Sequence, residues 1–88
     1  MMDVSDEIVR RLAVLAPESI DVHDDSAAHA GHAGAASGGG HFDLTVVSAV
    51  FAGQSALARH RQVYTLLADL IPGRIHALQI RALTPDEF

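Results

Sequence analysis

Eighty-eight residues suffice for one domain and leave no room for a second, near the size at which an unassisted core becomes marginal. A chain that is 49% hydrophobic and 19% charged is neither disordered nor fibrous, and one without cysteine has no disulfide and no thiolate metal site, which points to the cytoplasm. Eleven acidic side chains against six arginines, with no lysine and a formal charge of −5, oppose the phosphate attraction that supplies most non-specific nucleic-acid affinity.

The chain opens on Met1-Met2-Asp3-Val4-Ser5-Asp6-Glu7, which lacks the basic start and apolar run of a signal or transit peptide. No stretch approaches the roughly 20 apolar residues of a membrane span, so no membrane partner is expected. Val4, Ile8, Leu12 and Leu15 recur at helical spacing, with Asp6 and Glu7 early and Arg10 and Arg11 late, predicting an amphipathic helix that ends before Pro17. From Ser19 to Asp24, Ile20 and Val22 alternate with Asp21 and His23, the period of a half-buried strand. Residues 25–40 hold five of the seven glycines and no branched aliphatic or aromatic side chain, and so predict a long flexible Gly/Ala/His loop carrying His29 and His32.

Strand character returns from His41 to Val50, with Phe42, Leu44 and Val46 on one face, in a strand expected to pair antiparallel with the first. Phe51-Ala52-Gly53 predicts a turn. Leu57, Tyr64, Leu67 and Ile71 then predict the buried stripe of one helix or two, stopped by Pro72-Gly73. Arg74 to Leu83 reads as a third strand, and Thr84-Pro85-Asp86-Glu87 as the capping box of a last helix. The expected order is α, β, β, α (one helix or a split pair), β, α in a single domain.

Few of the local motifs carry chemistry. Gly38-Gly39-Gly40 is followed by no Gly-Lys-Ser/Thr, and Gly31-His32-Ala33-Gly34 spells a GxxG but lacks basic neighbours and lies in the loop. Ser48 and Ser55 fit a strand end and a helix start, and no nucleophile–base or paired-acid arrangement is present, so no catalytic residue and no small-molecule substrate are expected. The six histidines are the informative set. His23 and His41 read as surface or hydrogen-bonding residues, and His60 as an anchor for a neighbouring loop. His76 reads as a partly buried strand residue with metal ligation as the alternative. His29 and His32 stand where an imidazole could swing onto a metal.

Five segments in order, Asp25-Ser26-Ala27-Ala28-His29 with its Gly-rich sequel, His41-Phe42-Asp43-Leu44-Thr45-Val46-Val47-Ser48, Phe51-Ala52-Gly53, Arg59-His60-Arg61-Gln62-Val63-Tyr64 and Ile75-His76-Ala77-Leu78, closing with Thr84-Pro85, resemble the BolA family over nearly the whole chain. The resemblance implies an α+β, class II KH-like αββααβα fold, a three-stranded sheet with helices packed on one face, and no functional GxxG. It also implies a non-enzymatic partner of a monothiol, CGFS-type glutaredoxin, acting in iron–sulfur trafficking or iron regulation. In such a pair a bridging [2Fe–2S] cluster is held by the glutaredoxin cysteine and a glutathione thiol on one iron, and by two residues of the BolA-like chain on the other. On the family pattern those two are His76 and the loop residue His29, with His32 as alternate, a Rieske-like pair of imidazoles. No cluster is expected in the isolated chain. The family is also described as DNA-binding transcriptional regulators of stress response, morphology and biofilm formation, which here would engage Arg59, Arg61, Arg74 and Arg81.

Overall fold

The computed structural model describes residues 3–25 and 40–88. Helix α1 spans Val4–Leu12 and starts from Asp3, whose carboxylate accepts from the Asp6 N–H at 2.9 Å while the Asp3 N–H donates back to Asp6. Its buried residues, Ile8 and Leu12, lie one turn apart. The predicted helix does run to Leu15, but its last turn, Ala13–Leu15, tightens to 3-10 geometry. Ala16 then adopts the left-handed conformation (φ 48°), since the ring of Pro17 disfavours a further helical residue before it.

Strand β1 (Ser19–Asp24) pairs antiparallel with β2 (Gly40–Val47), placing Ile20 opposite Val46 and Val22 opposite Leu44. Strand β3 (Ile75–Leu83) lies parallel to β2 on its other side, so β2 is the centre of a three-stranded mixed sheet. Between them a 3-10 turn (Ala49–Phe51) leads into α2 (Ala56–Leu67), which a second 3-10 turn (Ala68–Leu70) extends. Ser55 caps α2 by accepting from the Ala58 N–H at 3.1 Å. Ser48 is fully buried; its hydroxyl donates to the Leu15 carbonyl at 2.6 Å and accepts from the Val50 N–H, tying the end of β2 to the end of the first helix.

Both helices cover one face of the sheet. Ile8, Leu12 and Leu15 meet Phe42, Leu44 and Val46 from β2, Ile75 from β3, and Phe51, Val63, Leu67 and Leu70 in one core. The buried stripe of α2 therefore differs from the predicted one: Val63, Leu67 and Leu70 are inside, whereas Leu57 is 58% and Tyr64 38% exposed. Leu57 and Tyr64 lie on the helix face turned from the sheet, and the tightened turn after Leu67 brings Leu70 rather than Ile71 fully into the core. The predicted last helix is a single 3-10 turn, Pro85–Glu87.

Candidate functional site

The pairing of β2 with β3 is irregular at its start. Gly40 partners Ile75, but His41 partners Ala77, so β3 carries one residue more than β2 over this step. Ile75 is buried and Leu78 packs against the core, while the two residues between them, His76 and Ala77, are both exposed. The bulge thus turns His76 out to solvent on the uncovered face, where a regular strand of this pattern would leave it partly buried. His41, half-buried at the start of β2, stands beside it with ring centroids 5.3 Å apart and planes tilted by 44°.

Asp25 and Gly40 are each hydrogen-bonded at this end of the sheet. The Asp25 N–H donates to the His41 carbonyl at 2.8 Å, and the Gly40 N–H to the Arg74 carbonyl at 3.1 Å. Asp25, His41, Asp43, Ala77 and Gln79 line an open groove of about 360 Å³ running from this edge along the outer face between β2 and β3. His23 on β1 faces Asp43 across the strand pair and lies 3.8 Å from the Asp25 carboxylate. No three His, Asp or Glu side chains among the described residues are grouped to hold a metal ion by themselves. His29, His32 and the GxxG of residues 31–34 lie outside the described residues.

His60 differs from its expected anchoring role. It is exposed on α2 and stacks on Tyr64, with ring centroids 5.7 Å apart. His23 is on the polar face of its strand, as read. His41, which reads as a surface or hydrogen-bonding residue, is half-buried beside His76, and nothing in its local sequence reveals that a bulge 35 positions downstream delivers His76 against it.

The four arginines of the nucleic-acid reading are dispersed. The Arg59 guanidinium is committed internally: it donates to the Gln54 and Ala82 carbonyls at 2.9 and 3.2 Å and to both oxygens of Glu87. That guanidinium, with the Thr84 N–H, holds the Glu87 carboxyl down at about 2. Arg61 is exposed on α2, and Arg81 on the outer face of β3. Arg74 precedes β3 at its opposite end, seven residues and roughly 20 Å along the strand from Arg81.

A three-stranded mixed sheet with helices on one face, and with histidines on its open edge, defines a small α+β domain of KH-like type. The family model for BolA-like protein matches residues 12–87. The UV-induced protein uvi31 of Schizosaccharomyces pombe is 40% identical over 98% of this chain and 90% of its own length. BolA-like protein 1 of Mus musculus is 40% identical over 84% of this chain, and SufE-like protein 1 of Arabidopsis thaliana 44% identical over 83%. The chain spans 52% of the mouse protein and 21% of the plant one. Among solved structures, BolA1 from Arabidopsis thaliana superposes with a TM-score of 0.84 at 30% identity, covering 100% of this chain and 99% of that one. The BolA domain of SufE1 from the same plant gives 0.79 at 41%, covering 93% and 92%. The chain belongs to the BolA-like family.

Proposed function

We propose that this chain is a non-enzymatic BolA-like protein that binds a monothiol, CGFS-type glutaredoxin and contributes two imidazoles to a [2Fe–2S] cluster shared with the glutaredoxin cysteine and glutathione. The observation that carries the reading is the bulge at His76. It projects an imidazole into solvent from a strand whose neighbours on both sides, Ile75 and Leu78, are held by the core. A ligand so mounted has little freedom to lose when it meets a partner.

The donor set fits such a group. A chain without cysteine must receive thiolate ligands from outside, and imidazole is a competent iron donor. When bound, the cluster supplies one-electron redox chemistry and transferable iron and sulfide. This chain's part is to present His76 at a fixed position and to bring a second imidazole to it. His29, with His32 as alternate, is the second donor on the family pattern. It lies four positions after Asp25, a chain reach of about 14 Å, and Asp25 is fastened beside His41. Action in the cytoplasm belongs to this proposal. No described helix is long and apolar enough to cross a membrane, and two plant relatives carry chloroplastic or mitochondrial names, so fractionation of the host is the check on compartment.

The test is anaerobic reconstitution of the chain with a monothiol glutaredoxin and glutathione, followed by visible circular dichroism. A mixed-cluster spectrum distinct from that of the glutaredoxin alone is expected, abolished by His76→Ala and weakened by His29→Ala with partial retention through His32. The chain reconstituted alone should stay colourless. A spectrum unchanged by His76→Ala would make His76 an ordinary strand residue and defeat the reading.

A further inference from the structure

We propose that His41 and His76 together form a seat for one divalent transition ion, of the Zn²⁺ or Ni²⁺ class, in the isolated chain. The seat needs neither glutaredoxin nor a thiol, so it goes beyond the cluster reading and stands or falls separately from it.

The argument is one of spacing and scaffold. Two imidazoles bound to one tetrahedral ion, with nitrogens about 2.1 Å from it, have ring centroids a little over 5 Å apart. The observed separation of 5.3 Å matches that span, and rotation of the two rings is the movement that would aim their donors at one ion. Both side chains come from paired strands: the Gly40 N–H bonds the Arg74 carbonyl, one residue before His41 and two before His76, and His41 is in register with Ala77. The chain entropy of bringing the two donors together has therefore been met by folding. The His76 ring is exposed and offers an ion its approach, whereas the His41 ring is half-buried with its Nε2 enclosed. Neutral imidazole suits zinc, nickel and copper and does not suit magnesium or calcium. Among the described residues no third His, Asp or Glu completes the set, and the proposed seat is a two-imidazole one with water in its other positions. Affinity should consequently be in the micromolar range rather than that of a closed four-ligand site, and the open positions leave the ion able to accept an external donor.

The experiment is titration of the metal-free full-length chain with Zn²⁺ and, separately, Ni²⁺, by calorimetry and by NMR of the histidine ring signals. One ion per chain is expected, with shifts at His41 and His76, a rise of several degrees in melting temperature that EDTA reverses, and no such effect from Mg²⁺. Binding should weaken at least tenfold in His76→Gln and in His41→Gln. It should persist in a variant that removes three other histidines, His23→Ala with His29→Ala and His32→Ala. Because His41 is half-buried, far-ultraviolet circular dichroism must show each variant folded, and the exposed His76→Gln decides the matter if His41→Gln does not fold. Binding that is unaltered in His76→Gln, that disappears in the His23/His29/His32 variant, or that is absent at millimolar Zn²⁺ would overturn the proposal. Scoring the same variants for the mixed-cluster spectrum with glutaredoxin separates a failure here from a failure of the cluster reading.

Discussion

Buried polar atoms show how single side chains hold this small fold together. The Ser48 hydroxyl lies within the core at the point where β2 ends, donating to the Leu15 carbonyl, one of the acceptors that the first helix leaves without a partner in its last turn. It also receives the Val50 N–H at the start of the following 3-10 turn. Replacing it with Ala removes both bonds and leaves the Leu15 carbonyl buried without its donor. We expect Ser48→Ala to lower stability by about 1–3 kcal/mol, measured by urea unfolding. A change under a few tenths of a kcal/mol would mean that water or a neighbouring N–H replaces the hydroxyl. His76 operates at the same scale in the opposite sense: an exposed side chain whose position, not whose packing, matters.

Ion pairs join the secondary-structure elements at two places. On α1, Glu7 receives Arg10 and Arg11, and Arg11 reaches across to Asp69 at the end of α2. At the other end of α2, Arg59 grips Glu87 in the terminal 3-10 turn while bonding the Ala82 carbonyl of β3. The arginine partners hold Glu7 at about 2 and Glu87 at about 2, against an ordinary value of 4.5, and Arg11 lowers Asp69. A carboxyl whose folded value lies below its unfolded one stabilises the fold above the unfolded value and stops doing so as pH falls through the folded value. Stability should therefore be level from pH 7 to about 5 on this account and decline between roughly pH 4.5 and 2. In Glu87→Gln that acid decline should be shallower, whereas Arg59→Gln should also loosen the terminal turn at neutral pH. Urea midpoints measured at pH 7, 4 and 2.5 check the sign, and an acid loss identical in wild type and Glu87→Gln would contradict it.

At the scale of the molecule, charge is distributed against strong nucleic-acid binding. The net charge is −5, Arg10, Arg11 and Arg59 are engaged in internal ion pairs, and Arg61, Arg74 and Arg81 occupy a helix, one end of β3 and the other end of it. A few separated cations release few counterions from DNA, so binding should be weak and steeply salt-dependent. Fluorescence anisotropy with duplex DNA is expected to show dissociation constants above the micromolar range at physiological salt, with modest further weakening in Arg61→Ala/Arg81→Ala. Nanomolar, sequence-selective binding lost in that variant would move the regulator reading ahead of the cluster reading.

Much of the architecture was already legible in the order of residues. Alternation in Ile20 and Val22 and in Phe42, Leu44 and Val46, helical spacing in Val4, Ile8 and Leu12, and the breakers at Pro17 and Pro72-Gly73 act over a few residues, and each produced its element. Which face of α2 is buried was not legible: Leu57 is as apolar as Leu70 and Tyr64 carries a large ring, and only packing against the sheet chooses between the two stripes. The site divides in the same way. The segment Ile75-His76-Ala77 marks a histidine by its resemblance, but its exposure comes from one extra residue in a parallel strand pairing, and its neighbour His41 comes from a strand 35 positions earlier. Periodicity is a short-range signal, so it located the helices and strands and the histidines they carry; register between distant strands is set by the shared core, and that register brings the two imidazoles together.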